Sequence, residues 1–293
     1  MIEARVAVLE TCIDARVEEG LLPLVQGAVA RARGVVESKI GACPGFGASL
    51  TPVPEEDGDH PLIRRMCRAA ALAGVGPMAS VAGAVASHAA CELVSAGSRE
   101  FRLDNGGDVA VLSPEAFTVG LYTGDRRSDG LVLELGPTDS VLGICSSSAR
   151  VGHSFSFGRA DIATVVSPDP VLADACATAL CNSVRSVSDL ADATEGILSV
   201  PGVTGCLAVI DGVVSVCGDI PDPRRVRMRP PSVPRRTRAS PHPRDAARTG
   251  GRGPPPNPHP SAPNQGRAAR RRGLRDASMQ MDGCIIHPVS ESK

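Results

Sequence analysis

Asp174 and Thr178 stand four positions apart in the run "LADACATALCN", residues 172–182. On a helix that spacing puts a carboxylate and a hydroxyl on one face. Both are hard oxygen donors, suited to Mg²⁺ rather than zinc. A plainer use is also open: Asp174 as a cap or salt-bridge partner near a helix start, with Thr178 against a neighbouring strand. The turn "DNGGD", 104–108, reads two ways as well. Asn105, Gly106 and Gly107 suit a hairpin needing positive φ, or a backbone surface that a phosphate or ring can approach closely. "GVGPMASVAG", 74–83, is either a helix start or a set of free helix N–H groups facing an anion.

The fourth stretch is "CSSSARVGHSFSFGRAD", 145–161, which spends two of the chain's five Phe within three positions. In an extended segment Phe155 and Phe157 share one face, with Ser154 and Ser156 on the other. One reading is ordinary core filling. The other has the phenylalanines anchoring the segment while His153, Ser154 and Ser156 face a cleft. The serine run 146–148 supplies hydroxyls, but no Ser–His–Asp triad is identifiable. His88, on an apolar run, reads as a core or boundary histidine rather than a ligand.

These residues need elements to hold them. Apolar positions recur at helical spacing over 19–41, with Pro23 suited to a first turn. A second helix runs from Pro61 to near Gly74, and the small-residue run 76–97 makes a third, either buried all round or packed closely against a sheet. From residue 99 the period shortens. Strands are expected on either side of the "NGGD" turn and at 117–122, 131–135, 141–146 and 160–167. A helix follows at about 170–185, then a hairpin around Asp211-Gly212, a type I′ signal. Helices early and strands late favour an α+β fold, helices packed on a mainly antiparallel sheet, over a doubly wound one.

Composition sets the boundaries. Residues 221–293 hold 16 of the 31 Lys and Arg, 5 of the 32 Asp and Glu, and 14 of the 25 Pro, with no aromatic residue. Such a segment buries too little apolar surface to offset the entropy of ordering it. The expectation is a folded domain over 1–220 and a disordered Pro/Arg-rich tail over 221–293. The tail invites a nucleic-acid reading, but no aromatic is interleaved with its arginines, so no nucleic-acid partner is expected. The ten cysteines form no CxxC pair and sit mostly among apolar neighbours, where a thiol acts as a small hydrophobe. No stretch gives about 18 uninterrupted apolar residues, and "MIEARVAVLETC" has neither a basic nor a long apolar leader region. A cytoplasmic protein without a membrane partner is expected.

Taken in order, "GVGPMASVAGAVA", "DNGGD", "CSSSARVGHSFSFGRAD" and "LADACATALCN" resemble the prokaryotic ApbE-like family of unassigned activity, related to the FAD:protein FMN transferases. The resemblance covers about residues 12–220. It implies a single ApbE-like layered α+β domain with FAD or a related flavin nucleotide in a cleft and Mg²⁺ beside its pyrophosphate. It implies Asp174, Thr178 and the backbone carbonyl of Ala79 as metal ligands. It places Asn105, Gly106, Gly107 and Asp108, with His153, Ser154 and Ser156, around a nucleotide-like small molecule. Two departures weaken transfer more than binding. Ser80 stands where the transferases have lysine, and "SFSFGRAD" replaces the Asp-Pro-Arg-Thr-Gly turn after the histidine. Losing a cation beside phosphates removes an electrostatic stabiliser of phosphoryl chemistry. Whether the chain is an enzyme of transferase type therefore stays open. The alternatives are cysteine-based sulfur handling through Cys145, Cys176 or Cys181, or ligand binding without catalysis.

Overall fold

The computed structural model describes residues 1–125, 127, 128, 130–150, 156–226 and 285–288. The chain opens with a hairpin, β1 (Ile2–Val8) and β2 (Thr11–Val17), turning through Leu9 at φ 52°. This pair was not expected from the sequence, although Ile2, Ala4, Val6 and Val8 alternate with exposed Glu3, Arg5 and Ala7. Helices α1 (Leu22–Ala42), α2 (Pro44–Ala48), α3 (Pro61–Ala73) and α4 (Val81–Ser95) come next. Residues 77–80 form a 3-10 turn that leads into α4. Strands β3 (Phe101–Asp104), β4 (Asp108–Leu112), β5 (Phe117–Leu121), β6 (Leu131–Leu135), β7 (Leu142–Ser147) and β8 (Ile162–Ser167) follow. Helices α5 (Pro170–Ser183) and α6 (Leu190–Leu198) precede the hairpin β9 (Gly205–Ile210) and β10 (Val213–Gly218). Asp211 and Gly212 both have positive φ, 52° and 80°, as a type I′ turn requires.

The strands form an eight-stranded sheet, β1-β2-β3-β4-β7-β8-β9-β10, antiparallel at every pairing. β5 and β6 form a second, smaller sheet. Arg224–Arg225 (β11) joins it beside β6, and Ile285–Pro288 (β12) beside β5. Two strands of the small sheet thus fall within the segment expected as a tail, beyond residue 220. The remainder of 227–293, on which the expected tail falls, lies outside the described residues.

Central strands are buried on both faces, so their sequences are apolar throughout rather than alternating. The two faces still differ in size of residue. In β9, Cys206, Ala208 and Ile210 join the core under the helices, while Leu207 and Val209 join the core under the small sheet. Ala and Cys on the helix side let α4 and α5 approach closely. Pro77–Ser95 is the one helical stretch among the described residues long and apolar enough to cross a membrane. Half of it is buried, and α4 lies against α1, α5 and β4, so packing explains its composition.

Candidate functional site

The elements converge at the N-terminal end of α4. Pro170, the first residue of α5, sits where glycines leave room: a Cβ at Gly83 would lie 2.3 Å from the Pro170 carbonyl oxygen, and one at Gly143 would lie 2.4 Å from Pro170 Cα. Seated this closely, α5 brings Asp174 to the start of α4. The Gly83 N–H donates to Asp174 Oδ2 at 2.8 Å. A carboxylate there is favoured by the helix dipole and satisfies a donor the helix cannot. Asp174 therefore does cap a helix, but a neighbouring one rather than its own. One turn on, Thr178 Oγ1 donates to the Ala79 carbonyl at 3.5 Å, at the long limit of a hydrogen bond. The three residues implied as metal ligands thus lie around the start of α4.

The glycine turn faces them. Gly106 and Gly107 have φ of 71° and 102°, a conformation other residues avoid. The Gly107 N–H donates to Asp104 Oδ1 at 2.8 Å, and Asn105 Nδ2 donates to the Ala82 carbonyl at 3.1 Å, tying the turn to α4. Asp108 opens β4 opposite Cys145 of β7, near enough to Asp174 for each carboxyl to act on the protonation of the other. Both are nearly buried, at 9% and 8% exposure.

Burial dominates their protonation. It pushes Asp108 well above the usual carboxylate range, with the Asp174 and Asp104 charges adding to the rise. Asp174 is raised to about 7 by burial, held down in part by the Gly83 N–H and by Asp108. Asp104 rises to about 6 through burial, against the Gly107 N–H. Each carboxyl therefore holds its proton more readily than a free carboxylate does. Burial also pushes Cys145 well up and Cys176 up to about 12, so these thiols stay protonated.

Ser80, the residue at the transferase lysine position, is fully buried and donates to the Pro77 carbonyl at 2.8 Å. No cationic side chain enters from that point. His153, Ser154 and Phe155 lie outside the described residues. Ser156 is half-buried, with Oγ 3.2 Å from both Cys181 Sγ and Asn182 Oδ1. Phe157 is 60% exposed. This corrects the expected anchoring of Phe157, which lies outside the core, while Ser156 lies against the end of α5. The reason is the bend at Gly158, whose Cβ would lie 1.8 Å from the Cys181 carbonyl oxygen, so the segment is not extended there. Asn182, which no motif flagged, holds this bend by also accepting from the Phe157 N–H at 2.8 Å. Its place in the row Asp174, Thr178, Asn182 was the available signal. His88, half-buried with Nε2 3.3 Å from Glu92 Oε1, lies further along α4 and takes no part.

Among the described residues no three His, Cys, Asp or Glu side chains are arranged to hold a metal. A cation here would rely on the two carboxylates and neutral oxygens, which is how Mg²⁺ is held. The donor set fits a hard cation.

A family model described as "AbpE bacteria" matches residues 5–195. The chain belongs to this ApbE-like family. The UPF0280 protein of Methanocella arvoryzae is 42% identical over 219 residues, covering 74% of this chain and 89% of that one. That of Methanothrix thermoacetophila is 40% identical over 218 residues, covering 74% and 91%. Among solved structures, the apo flavinyl transferase ApbE of Pseudomonas stutzeri superposes with a TM-score of 0.50 at 12% identity, over 73% of this chain and 94% of that one. At that identity the likeness establishes the shared α+β fold. The family match places the Gly-Gly turn, Asp174 and Thr178 within its span.

Proposed function

We propose that this protein binds a flavin-like nucleotide, FAD or a close relative, together with Mg²⁺ in the cleft between the α4 start, the 105–108 turn and α5. One observation carries the reading: two carboxylates, Asp108 and Asp174, are buried beside the glycine turn, and no Arg or Lys among the described residues pairs with either. Asp174, Thr178 and the Ala79 carbonyl hold the metal. Bound there, Mg²⁺ supplies positive charge that neutralises phosphate oxygens. Asn105, Gly106, Gly107 and Asp108 offer the ligand an open backbone surface, and His153, Ser154 and Ser156 complete the wall. The relation to ApbE supplies the flavin class, since the solved relative is itself a flavinyl transferase.

Binding is proposed ahead of transfer because Ser80 is spent on the Pro77 carbonyl and leaves no cation for developing phosphate charge. A cytoplasmic site of action suits the nine free cysteines among the described residues. The sulfur-handling alternative draws no support from Cys145, Cys176 or Cys181, all buried and raised in pKa. The test is calorimetric titration of wild type and Asp174→Asn with FAD, FMN and ATP, with and without Mg²⁺. Wild type should bind a flavin nucleotide only with metal, and Asp174→Asn should bind it more weakly by about 1–3 kcal/mol. Failure of every nucleotide to bind wild type, or binding indifferent to metal and mutation, sinks the proposal.

A further inference from the structure

The eight-stranded sheet has two outer strands, β1 and β10, and their edges differ in chemistry. We infer that β10 is a dimerisation edge. It pairs antiparallel with β10 of a second copy of this chain, about a twofold axis, and makes one continuous sheet across both subunits.

An outer strand presents unpaired backbone N–H and C=O groups, and natural proteins blunt such edges with charge or proline. β1 is guarded in this way: Glu3 and Arg5 are exposed on it, and Arg5 pairs with Asp14 of β2 at 2.7 Å. β10 reads "VVSVCG", with no charged side chain and no proline, and its Val213 is exposed. No described strand lies on its outer side. The two-residue turn Asp211-Gly212 sets Val213 opposite Ile210. In such a hairpin Val213, Ser215 and Cys217 bond inward to β9, and the backbone groups of Val214, Val216 and Gly218 point outward.

These outward groups fit a copy of themselves. With Ser215 on the axis, Val214 of one chain stands opposite Val216 of the other, and the two exchange hydrogen bonds. Ser215, with Oγ 2.9 Å from Thr194 Oγ1 of α6, and Cys217 lie on the helix side, while Val214 and Val216 lie over the small sheet. The axis keeps helix side beside helix side and puts the β-branched pair, Val214 and Val216, on the other face. The ends agree in charge. Arg225 donates to the Arg127 carbonyl beside Gly212, at the turn end, and pairs with no carboxylate among the described residues. Asp219 and Asp222, exposed beyond Gly218, pair with no Arg or Lys among the described residues. Antiparallel pairing brings each arginine end beside the other chain's aspartate end. Each chain spends its one β10, so assembly stops at two.

Sedimentation equilibrium of the full-length chain tests this. Wild type should fit twice the mass of one chain at micromolar concentration, and Val216→Pro the single mass. Proline suits the purpose because it removes an outward N–H, a change that an edge strand tolerates. Val213→Lys puts a charge on the edge and should weaken dimerisation at least tenfold. Should Val216→Pro fail to fold, Val213→Lys decides alone. A monomeric wild type overturns the inference, as does a dimer that keeps its affinity in every folded variant. Open-ended association of wild type also overturns it, since a twofold edge closes.

Discussion

Asp174 serves a helix N-terminus with one oxygen and faces another carboxylate with the rest, so its two uses separate by substitution. Asparagine keeps an oxygen that can accept from the Gly83 N–H, whereas alanine removes it. Asp174→Ala should lose about 1–2 kcal/mol of stability, the usual effect of deleting a cap. Asp174→Asn should lose much less while still weakening metal-dependent binding. Urea denaturation of both variants checks this, and equal losses would mean the cap geometry depends on charge. The sequence displayed Asp174 and Thr178 as a pair because both lie on one helix with fixed spacing. It did not display the nearness of Asp108, which is 66 positions away and depends on how β4 meets α5. Ser156 and Phe157 show the opposite failure. Alternation suggested a facing, but Gly158 against the Cys181 carbonyl bends the backbone and leaves Phe157 outside the core.

The site exists because α4 and α5 nearly touch. A methyl group at Gly83 would sit 2.8 Å from Asp174 Cβ as well as 2.3 Å from the Pro170 carbonyl oxygen, and backbone has little room to yield. Gly83→Ala should therefore destabilise by about 1–3 kcal/mol, the range for overpacking, although alanine is the better helix former. It should also weaken metal uptake, because the helices that carry Asp174 and Ala79 are forced apart. Thermal melts with Mn²⁺ titration test both, and a stabilised variant with normal uptake would show that the contact is slack. Elements with strong local signals were legible: the Asp211-Gly212 hairpin, the Pro61 helix start and the paired strands about the glycine turn. The β1–β2 hairpin and α6 were not. β1 lies at the sheet edge with only Val6 fully buried, and α6 is a nine-residue helix whose pattern is too short to stand out.

At the scale of the whole molecule, the buried acids set a pH dependence. Asp104 and Asp174 titrate near 6 and 7 in the folded protein, and Asp108 is raised further. Their pKa values lie above those of the unfolded chain, near 3.8. The native state then holds protons that the unfolded chain releases. This contribution is full below pH about 3.8 and is lost as pH rises through the folded values. Metal-free protein should lose stability on this account from about pH 4 to about pH 7, with a slope of at most about 1.4 kcal/mol per pH unit for each group. His88 opposes it, because burial lowers its pKa from 6.5 and favours folding as pH rises towards that value. Comparing wild type with Asp104→Asn removes His88 from the account. The variant should fall off less steeply between about pH 4 and 6, and parallel denaturation profiles would refute the assignment. A second prediction concerns extent. Truncation after Val226 removes β12 from the small sheet but no strand of the eight-stranded one, so it should leave a single cooperative melt. Loss of that transition would make the basic segment part of the fold.

The large sheet adds its strands in chain order, each beside the one before it, with β5 and β6 set aside and the helices inserted between neighbours. A chain leaving the ribosome can build such a sheet one strand at a time, although β2 waits for four helices to emerge before β3 arrives. The carboxylate pair breaks this rhythm. Asp108 takes its place when β4 docks on β3, yet Asp174 reaches it only after β7, β8 and α5 have emerged. For that interval the nascent protein carries a half-formed, acidic opening beside its glycine turn. The cleft is thus finished late in synthesis, after most of the sheet that supports it.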